Sequence, residues 1–533
     1  MKNHKLIYLT IIIILLSASF CWSQTKSSPG LFENYWPPFS VSYPSNWEEV
    51  VPVDQYSVFR ANSPDGSSSF WFFVISKMNI PIKDSANIFR KGLKQAGAED
   101  IKLIHEKKIQ LNDGTPAYET EFECTLQMNQ IKQNNFYLTI KERDTWIAVA
   151  IISTNGRINE DLKKIAYTLR KRAKEKNEVR YKYKVPEQTD DGWETCHVAK
   201  VNIDEHKLSD LIKKIQNGTY INIHSVLIIK NGKLVFEEYF PGKDVYSKYT
   251  SYTRDDLHFL ASVTKSFSST LTGIAIDKGV INGTDENLGN FFPEYKNELS
   301  ADNKAKIKLH HVLSMSAGFD WDEQVYSPND PRNVMRKMFN SKDIIGFILN
   351  RPIKDKPGSK FMYNSGLSML LGTIVEKRSS LKLTEFAEKN LFNPLGISRY
   401  AWTYIGKVPE SAGGLSLRPR DMAKLGYLFF KKGKWNGKQI VPEKWVKDAT
   451  SQYVTPPRTG TGYGYQWWLI KWEIDNTTIE GYFAAGWGGQ RIFVFPALDA
   501  VVVLTAGNHY YNDDLIASTI LKNSILPALI RSY

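Results

Sequence analysis

Ser262 and Lys265, a hydroxyl and an amine three residues apart, sit in the run LASVTKSFSS at 260–269. If a helix begins just before Ser262, positions i and i+3 share one face. The amine can then take the hydroxyl proton. The helix N-terminus adds unpaired N–H groups and partial positive charge where an oxyanion would develop. This is nucleophilic serine chemistry without a histidine base. Spacing alone does not establish it, because Ser379 and Lys382 repeat the pattern with nothing around them that supports catalysis.

Two further stretches can complete the chemistry. The run PGSKFMYNSG at 357–366 places Tyr363 on a turn ahead of an apolar helix over 367–377. A phenol beside an amine can act with it as one coupled base; by itself it is an aromatic packed in a loop. The run AAGWGGQ at 484–490 precedes two apolar strands, 491–496 and 501–505. Glycines beside a strand let a ligand approach the backbone. A strand-edge N–H, which we place at Gln490, would join the Ser262 N–H in an oxyanion hole.

These residues need a scaffold, and the pattern of the chain supplies one. Residues 225–230 and 233–239 flank Asn231-Gly232 and read as a β-hairpin. An amphipathic helix over 207–215 precedes the hairpin, and the Ser262 helix follows it. No G-x-S-x-G elbow is present, which argues against an α/β-hydrolase. His310 and His311 read as structural residues at a helix start.

Upstream, residues 30–172 read as a small α/β unit. Strands are expected at 39–47, 69–75, 107–111, 117–126, 136–141 and 146–153. Helices are expected at 85–96 and 160–172, with a turn at Asn112-Asp113-Gly114. FSVSYPSNW, DGTPAYE and the closing strand–helix pair give this unit a weak resemblance to PsbP/Mog1-like α/β/α sandwiches. The resemblance implies a structural, targeting or binding domain without catalytic motifs. A charged stretch over 173–195 reads as a linker, leaving 196–533 as the second domain.

Composition narrows the function classes. The 533 residues are 42% hydrophobic and 13% aromatic, ordinary for a globular protein but aromatic-rich. The net charge is +13, and much of it lies in the basic run at 170–184. No nucleic-acid motif accompanies that run, so it reads as a solvated linker and no nucleic acid is expected as a partner. Residues 1–23 read as a signal peptide: Lys2 and Lys5, an apolar run over 6–16, then small and polar residues. The run is short for a membrane span. The protein is therefore expected to be exported, periplasmic or secreted, without a stable span after cleavage. Phe20 before Cys21 disfavours a lipid anchor. Cys124 and Cys196 have no metal or redox spacing, and whether they pair stays open. No metal or organic cofactor is expected.

The order S-x-x-K at 262–265, Tyr363-Asn364-Ser365 and the glycine-rich strand at 484–490 resembles the serine β-lactamase-like family of class C type. Flanking runs agree: IKLHHVLSMSAG at 307–318, LFNPLGI at 391–397 and GGLSLRPRD at 413–421. The resemblance implies an α+β domain, an antiparallel sheet flanked by helices plus a mostly helical subdomain. It implies Ser262 as acylated nucleophile, Lys265 as its proton partner and Tyr363 as base. Two departures bear on substrate. Ser365 takes the third position of Y-x-N, and Trp487-Gly488-Gly489 stands where K-T-G is usual; Arg458-Thr459-Gly460 lies in the wrong place to replace it. Ser365, Trp487, Gly488 and Gly489 are then the expected substrate-binding positions. Without the lysine a cationic grip on a substrate carboxylate is lost. The sequence reads as an exported serine hydrolase acting on a small ester, amide or peptide. The alternatives are a penicillin-binding D,D-peptidase or β-lactamase, and an inactive binding protein.

Overall fold

The computed structural model describes residues 30–530, apart from 36–37, 50–56, 76–80, 96, 128–129, 143–144, 172–180, 246–248, 301, 327–329, 458–461, 475–476 and 510–512. The expected signal peptide and the Arg458-Thr459-Gly460 run lie outside the described residues. Packing divides the chain into two units, Met1–Glu178 with Gln216–Ile221, and Val179–Ile215 with Asn222–Tyr533. Both mix helices with antiparallel sheet, an α+β fold.

The first unit is built on an antiparallel sheet in the order Glu48–Glu49, Ser57–Asn62, Ser68–Ile75, Thr145–Ser153, Ile131–Glu142, Pro116–Leu126, Ala98–Gln110. The central strand Thr145–Ser153 is buried at every position, so its sequence TWIAVAIIS shows little polar alternation. One face packs Phe70, Phe72 and Val149 with Ala166 and Leu169. The other packs Trp71, Phe73 and Ala148 with Phe89 and Leu93. Helices Glu160–Ala166 and Ser85–Gln95 thus serve opposite faces. The helix expected to run to 172 stops at Ala166, because Arg170 and Lys171 pair instead with Ser40 and Phe39.

The second unit holds a sheet of seven strands: β1 (Glu194–Thr195), β2 (Ile223–Lys230), β3 (Lys233–Tyr239), β4 (Trp468–Ile474), β5 (Thr477–Gly486), β6 (Gln490–Phe495) and β7 (Ala500–Ala506). Their order is β1-β3-β2-β7-β6-β5-β4. Only β1 runs parallel to its neighbour. The β2–β3 turn has Asn231 at φ 51 and Gly232 at φ 78, the left-handed pair a two-residue hairpin needs. Three helices matter to the site: α1 (Thr264–Asp277), α2 (Ser365–Ser379) and α3 (Pro419–Phe430). Helix α1 is buried on all sides from Thr264 to Ala275, as its lack of a polar face requires. Leu227, Ile492, Val494 and Val503 of the sheet share one core with Phe267 and Leu271 of α1, Leu367 and Leu371 of α2, and Met422 and Leu425 of α3.

The stretch read as a linker is only partly one. From Tyr181 it is a strap on the second unit. Tyr183 donates to the Val235 carbonyl at 2.8 Å, and buried Trp193 donates to the Arg420 carbonyl at 3.2 Å. The Arg420 guanidinium, 1% exposed, binds Asp191 at 3.0 Å and also pairs with Glu237. The segment is poor in aliphatics because aromatic rings and one buried guanidinium hold it. Cys124 and Cys196 are free thiols. No helix among the described residues is long and apolar enough to cross a membrane.

Candidate active site

Ser262 lies in a single 3-10 turn, Ala261–Val263, that runs into α1. Ala261 has φ 45, a left-handed conformation that costs a non-glycine residue roughly 1–2 kcal/mol. The turn is clamped from two sides. On one, Leu260 N donates to the Leu415 carbonyl at 2.9 Å, and Leu415 N donates to Thr264 Oγ1 at 3.2 Å. On the other stands Gly486, the last residue of β5. A Cβ there would lie 3.2 Å from Ser262 N and would collide with the Leu260 carbonyl. Glycine is what allows the strand end to reach the serine amide.

Lys265 is 3% exposed. Its Nζ donates to Ser262 Oγ at 2.9 Å and to the Ala412 carbonyl at 2.8 Å. The ring centre of Tyr363 lies 5.1 Å from the same nitrogen, so the lysine faces the π-cloud. Ala412 is itself fixed: Ser268 Oγ on α1 donates to the Ser411 carbonyl at 2.8 Å, and Ser411 Oγ donates to the Ser368 carbonyl of α2 at 2.8 Å. The amine is therefore held by three segments distant in sequence.

Tyr363 approaches that amine by its face. Its hydroxyl makes no hydrogen bond to Ser262 or to any other described residue. The ring stacks on Trp468, 6.0 Å and 25° away, and the stack continues to Phe483 at 6.2 Å. Phe361 and buried Tyr463 close the group at 5.0 Å from each other. An aromatic wall thus flanks the serine on the tyrosine side, built from residues the sequence reading did not single out for that purpose.

The expected substrate-binding positions fare differently. Ser365 is 2% exposed; its N–H and Oγ both donate to the Glu323 carboxylate, at 2.8 and 2.7 Å. Trp321 Nε1 donates to the same carboxylate at 2.7 Å. Ser365 is thus a structural anchor at the start of α2, spent on a partner 42 residues upstream. Asn364 caps the helix, its Oδ1 accepting from Leu367 N at 3.2 Å. Gly488 and Gly489 form the β5–β6 turn at φ 91 and φ 102. A side chain at Gly488 would enter the His509 ring, and one at Gly489 would crowd Ala506 at 2.9 Å. Both glycines answer to packing and backbone shape. Trp487 is half-buried and meets the His509 ring edge-on at 4.7 Å.

Gln490 opens β6 directly opposite Gly486. Its side chain is committed within the sheet: Nε2 donates to the Ala506 carbonyl at 2.6 Å, and Oε1 accepts from Ala506 N at 3.2 Å. The strand residue that meets the Ser262 amide is Gly486, inside the glycine-rich run at 484–490.

Behind this turn lies a histidine group that no sequence motif announces. His224 Nδ1 and His258 Nε2 are 2.7 Å apart, and His224 stacks on Tyr252 at 4.0 Å. Burial, with the neighbouring imidazoles adding to it, pushes His224 down to about 2. Burial likewise lowers His258 and His509 to about 4. These rings are packed as neutral groups. His311 accepts from Lys308 N at 3.0 Å at a helix start. Among the described residues no group of His, Cys, Asp or Glu could hold a metal ion.

The Beta-lactamase family model matches residues 211–522, a span that contains Ser262, Lys265, Tyr363 and the β5–β6 turn. The chain belongs to the Beta-lactamase family. Within the family it is similar to the 6-aminohexanoate-dimer hydrolase of Paenarthrobacter ureafaciens, 25% identical over 284 residues that make up 49% of this chain and 69% of that protein. A Salmonella agona (strain SL483) protein provisionally named D-alanyl-D-alanine carboxypeptidase is 28% identical over 219 residues, 38% of this chain and 49% of the relative. The chain thus spans about half the length of that relative. Among solved structures, the octameric penicillin-binding protein homologue from Pyrococcus abyssi aligns with a TM-score of 0.44 at 21% identity, over 59% of this chain and 76% of that one. The β-lactamase match begins at residue 211 and leaves out 30–172, whose resemblance to PsbP/Mog1-like domains is a matter of sequence pattern.

Proposed function

We propose that this β-lactamase-family protein is a serine hydrolase that cleaves an ester or amide through an acyl-enzyme on Ser262. The observation that carries the reading is the 2.9 Å approach of Lys265 Nζ to Ser262 Oγ in a buried setting, with the Ala412 carbonyl fixing the amine from behind. The substrate carbonyl enters beside Ser262. The Lys265–Tyr363 pair takes the serine proton as Oγ attacks. The oxyanion is stabilised by the Ser262 amide and by the backbone of the 486–490 strand end beside it, and one such donor is commonly worth about 3–4 kcal/mol. The leaving group departs protonated, and water releases the acyl group.

Trp487 in place of a lysine, and the wall of Tyr363, Trp468 and Phe483, support an apolar acyl ester or small amide over an anionic penicillin or D-Ala-D-Ala substrate. The N-terminal pattern at 1–23 supports export. The test is intact-mass analysis after exposure to a fluorophosphonate and to a panel of nitrophenyl esters. A single adduct on Ser262, absent in Ser262→Ala, is expected, with ester turnover exceeding that of nitrocefin. No adduct on folded protein would leave the inactive binding protein as the better reading.

A further inference from the structure

One carboxylate beside the site has no assigned role. Glu410 sits at the end of a short loop hairpin. Its N–H donates to the Thr403 carbonyl at 3.0 Å, and its own carbonyl accepts from Gly414 N at 2.9 Å and Trp402 Nε1 at 3.2 Å. The backbone is therefore fixed on both sides of the residue. The side chain folds back over the Gly413–Gly414 pair. A Cβ on Gly413 would stand 2.9 Å from Glu410 Oε1 and 3.7 Å from the carbonyl carbon of Ala261, and a Cβ on Gly414 would collide with Oε2. Two consecutive glycines thus leave the space that the carboxylate fills, one atomic layer from the peptide that carries Ser262. Ser411 and Ala412 lie between hairpin and glycines, and the Ala412 carbonyl is the one that receives Lys265 Nζ.

Among the described residues nothing donates a hydrogen bond to this carboxylate. The positive charge of Lys265 on α1 favours its ionised form. The Ala261–Val263 turn and the strand Leu415–Leu417 supply no titratable side chain. On its own loop, Tyr404 donates to Glu376 at 2.8 Å and Lys407 is exposed. Tyr363 faces the same lysine by its ring.

We propose that Glu410 is a positioning residue for the serine chemistry, a carboxylate set behind the Gly413–Gly414 pair that keeps Lys265 Nζ directed at Ser262 Oγ and the Ala412 carbonyl. The proposal rests on the Ser262 reading above. A lysine with two oxygen acceptors and an aromatic face around it is in an environment made for a cation. A carboxylate nearby stabilises that cation without a direct bond that would pull it off the serine. Burial pushes the Glu410 carboxyl up to about 7, with Lys265 pulling the other way. Protonation of Glu410 then removes the counter-charge within the working pH range, so activity rises as pH climbs through neutrality.

The experiment is a pH profile of kcat/KM and kcat for nitrophenyl acetate with the full chain, its Glu410→Gln variant and its Glu410→Asp variant. Wild type is expected to show an inflection near pH 7. Glu410→Gln should lose that inflection and fall at least tenfold in kcat at pH 8, with KM within twofold. Glu410→Asp, which keeps the charge, should retain the inflection at a shifted pH, and it serves if the Gln variant does not fold. A Gln variant, or failing that an Asp variant, whose profile superimposes on wild type overturns the proposal. Fluorophosphonate labelling of wild-type Ser262, run in parallel, separates this outcome from failure of the nucleophile itself.

Discussion

Ser262–Lys265 and Ser379–Lys382 share a spacing and little else. The first pair stands in a clamped turn at the head of a helix buried from Thr264 to Ala275, its amine 3% exposed and bonded to the hydroxyl at 2.9 Å. The second straddles a helix end. Ser379 Oγ donates back to the Val375 carbonyl at 2.7 Å. Lys382, separated from it by Ser380 at φ 57, begins the next helix and lies over the Tyr404 ring at 5.4 Å. A left-handed residue occurs in both places. Before Ser262 it points the chain into a helix; after Ser379 it ends one, and the lysine swings away. The i,i+3 rule holds only while the helical backbone is continuous between the two positions. Chemistry also needs the amine removed from water, which only the first pair achieves.

The comparison can be broken most sharply at the serines. Ser262→Ala should lower ester hydrolysis by at least about 10³-fold, while Ser379→Ala should stay within twofold of wild type in the same steady-state assay. Equal losses would mean that the geometry of the first pair is irrelevant. At the lysines, Lys265→Met should cost roughly 10²–10⁴-fold in kcat, with thermal melts used to confirm that the buried methionine is accommodated.

Acid should separate the two regions next. The histidine group packs only on the Ser262 side, where Gly488 and Trp487 rest on His509. Burial depresses His258 and His509 from 6.5 to about 4. The unfolded chain therefore binds protons that the folded chain refuses. Stability is full above about pH 6.5 and declines as pH falls toward 4, by on the order of 2 kcal/mol per imidazole at pH 5. Urea melts at pH 7.5 and pH 5 measure the decline. A flat response would show that these rings are not buried neutral. The smallest effect belongs to the second pair: Lys382→Ala should change stability by no more than about 0.5 kcal/mol in the same melts.

What could be read from the sequence follows from distance along the chain. The Asn231-Gly232 hairpin, the Ser262–Lys265 pair and the β6–β7 hairpin depend on neighbours a few residues apart, and their residue types dictate backbone shape. Tyr363 was legible from its turn and the helix after it. Gly486 was hidden inside a glycine-rich run, because which glycine meets Ser262 depends on where β5 ends. The Glu323 partner of Ser365 could not be read, because it lies in a loop with no pattern of its own. The strap from Tyr181 escaped notice for the same reason: its partner, Arg420, lies far along the chain.

The left-handed Ala261 has a further consequence. The main chain of that turn sets where the Ser262 hydroxyl sits, so under the proposed acyl-enzyme chemistry the fold itself would fix the line along which a carbonyl is attacked. A larger or β-branched residue at 261 would resist that backbone, and glycine would adopt it freely but also leave it freely. Covalent reagents against this protein would therefore be sorted by how well they meet one fixed approach, and reshaping the substrate range is a task for the walls around the serine rather than for the turn that carries it.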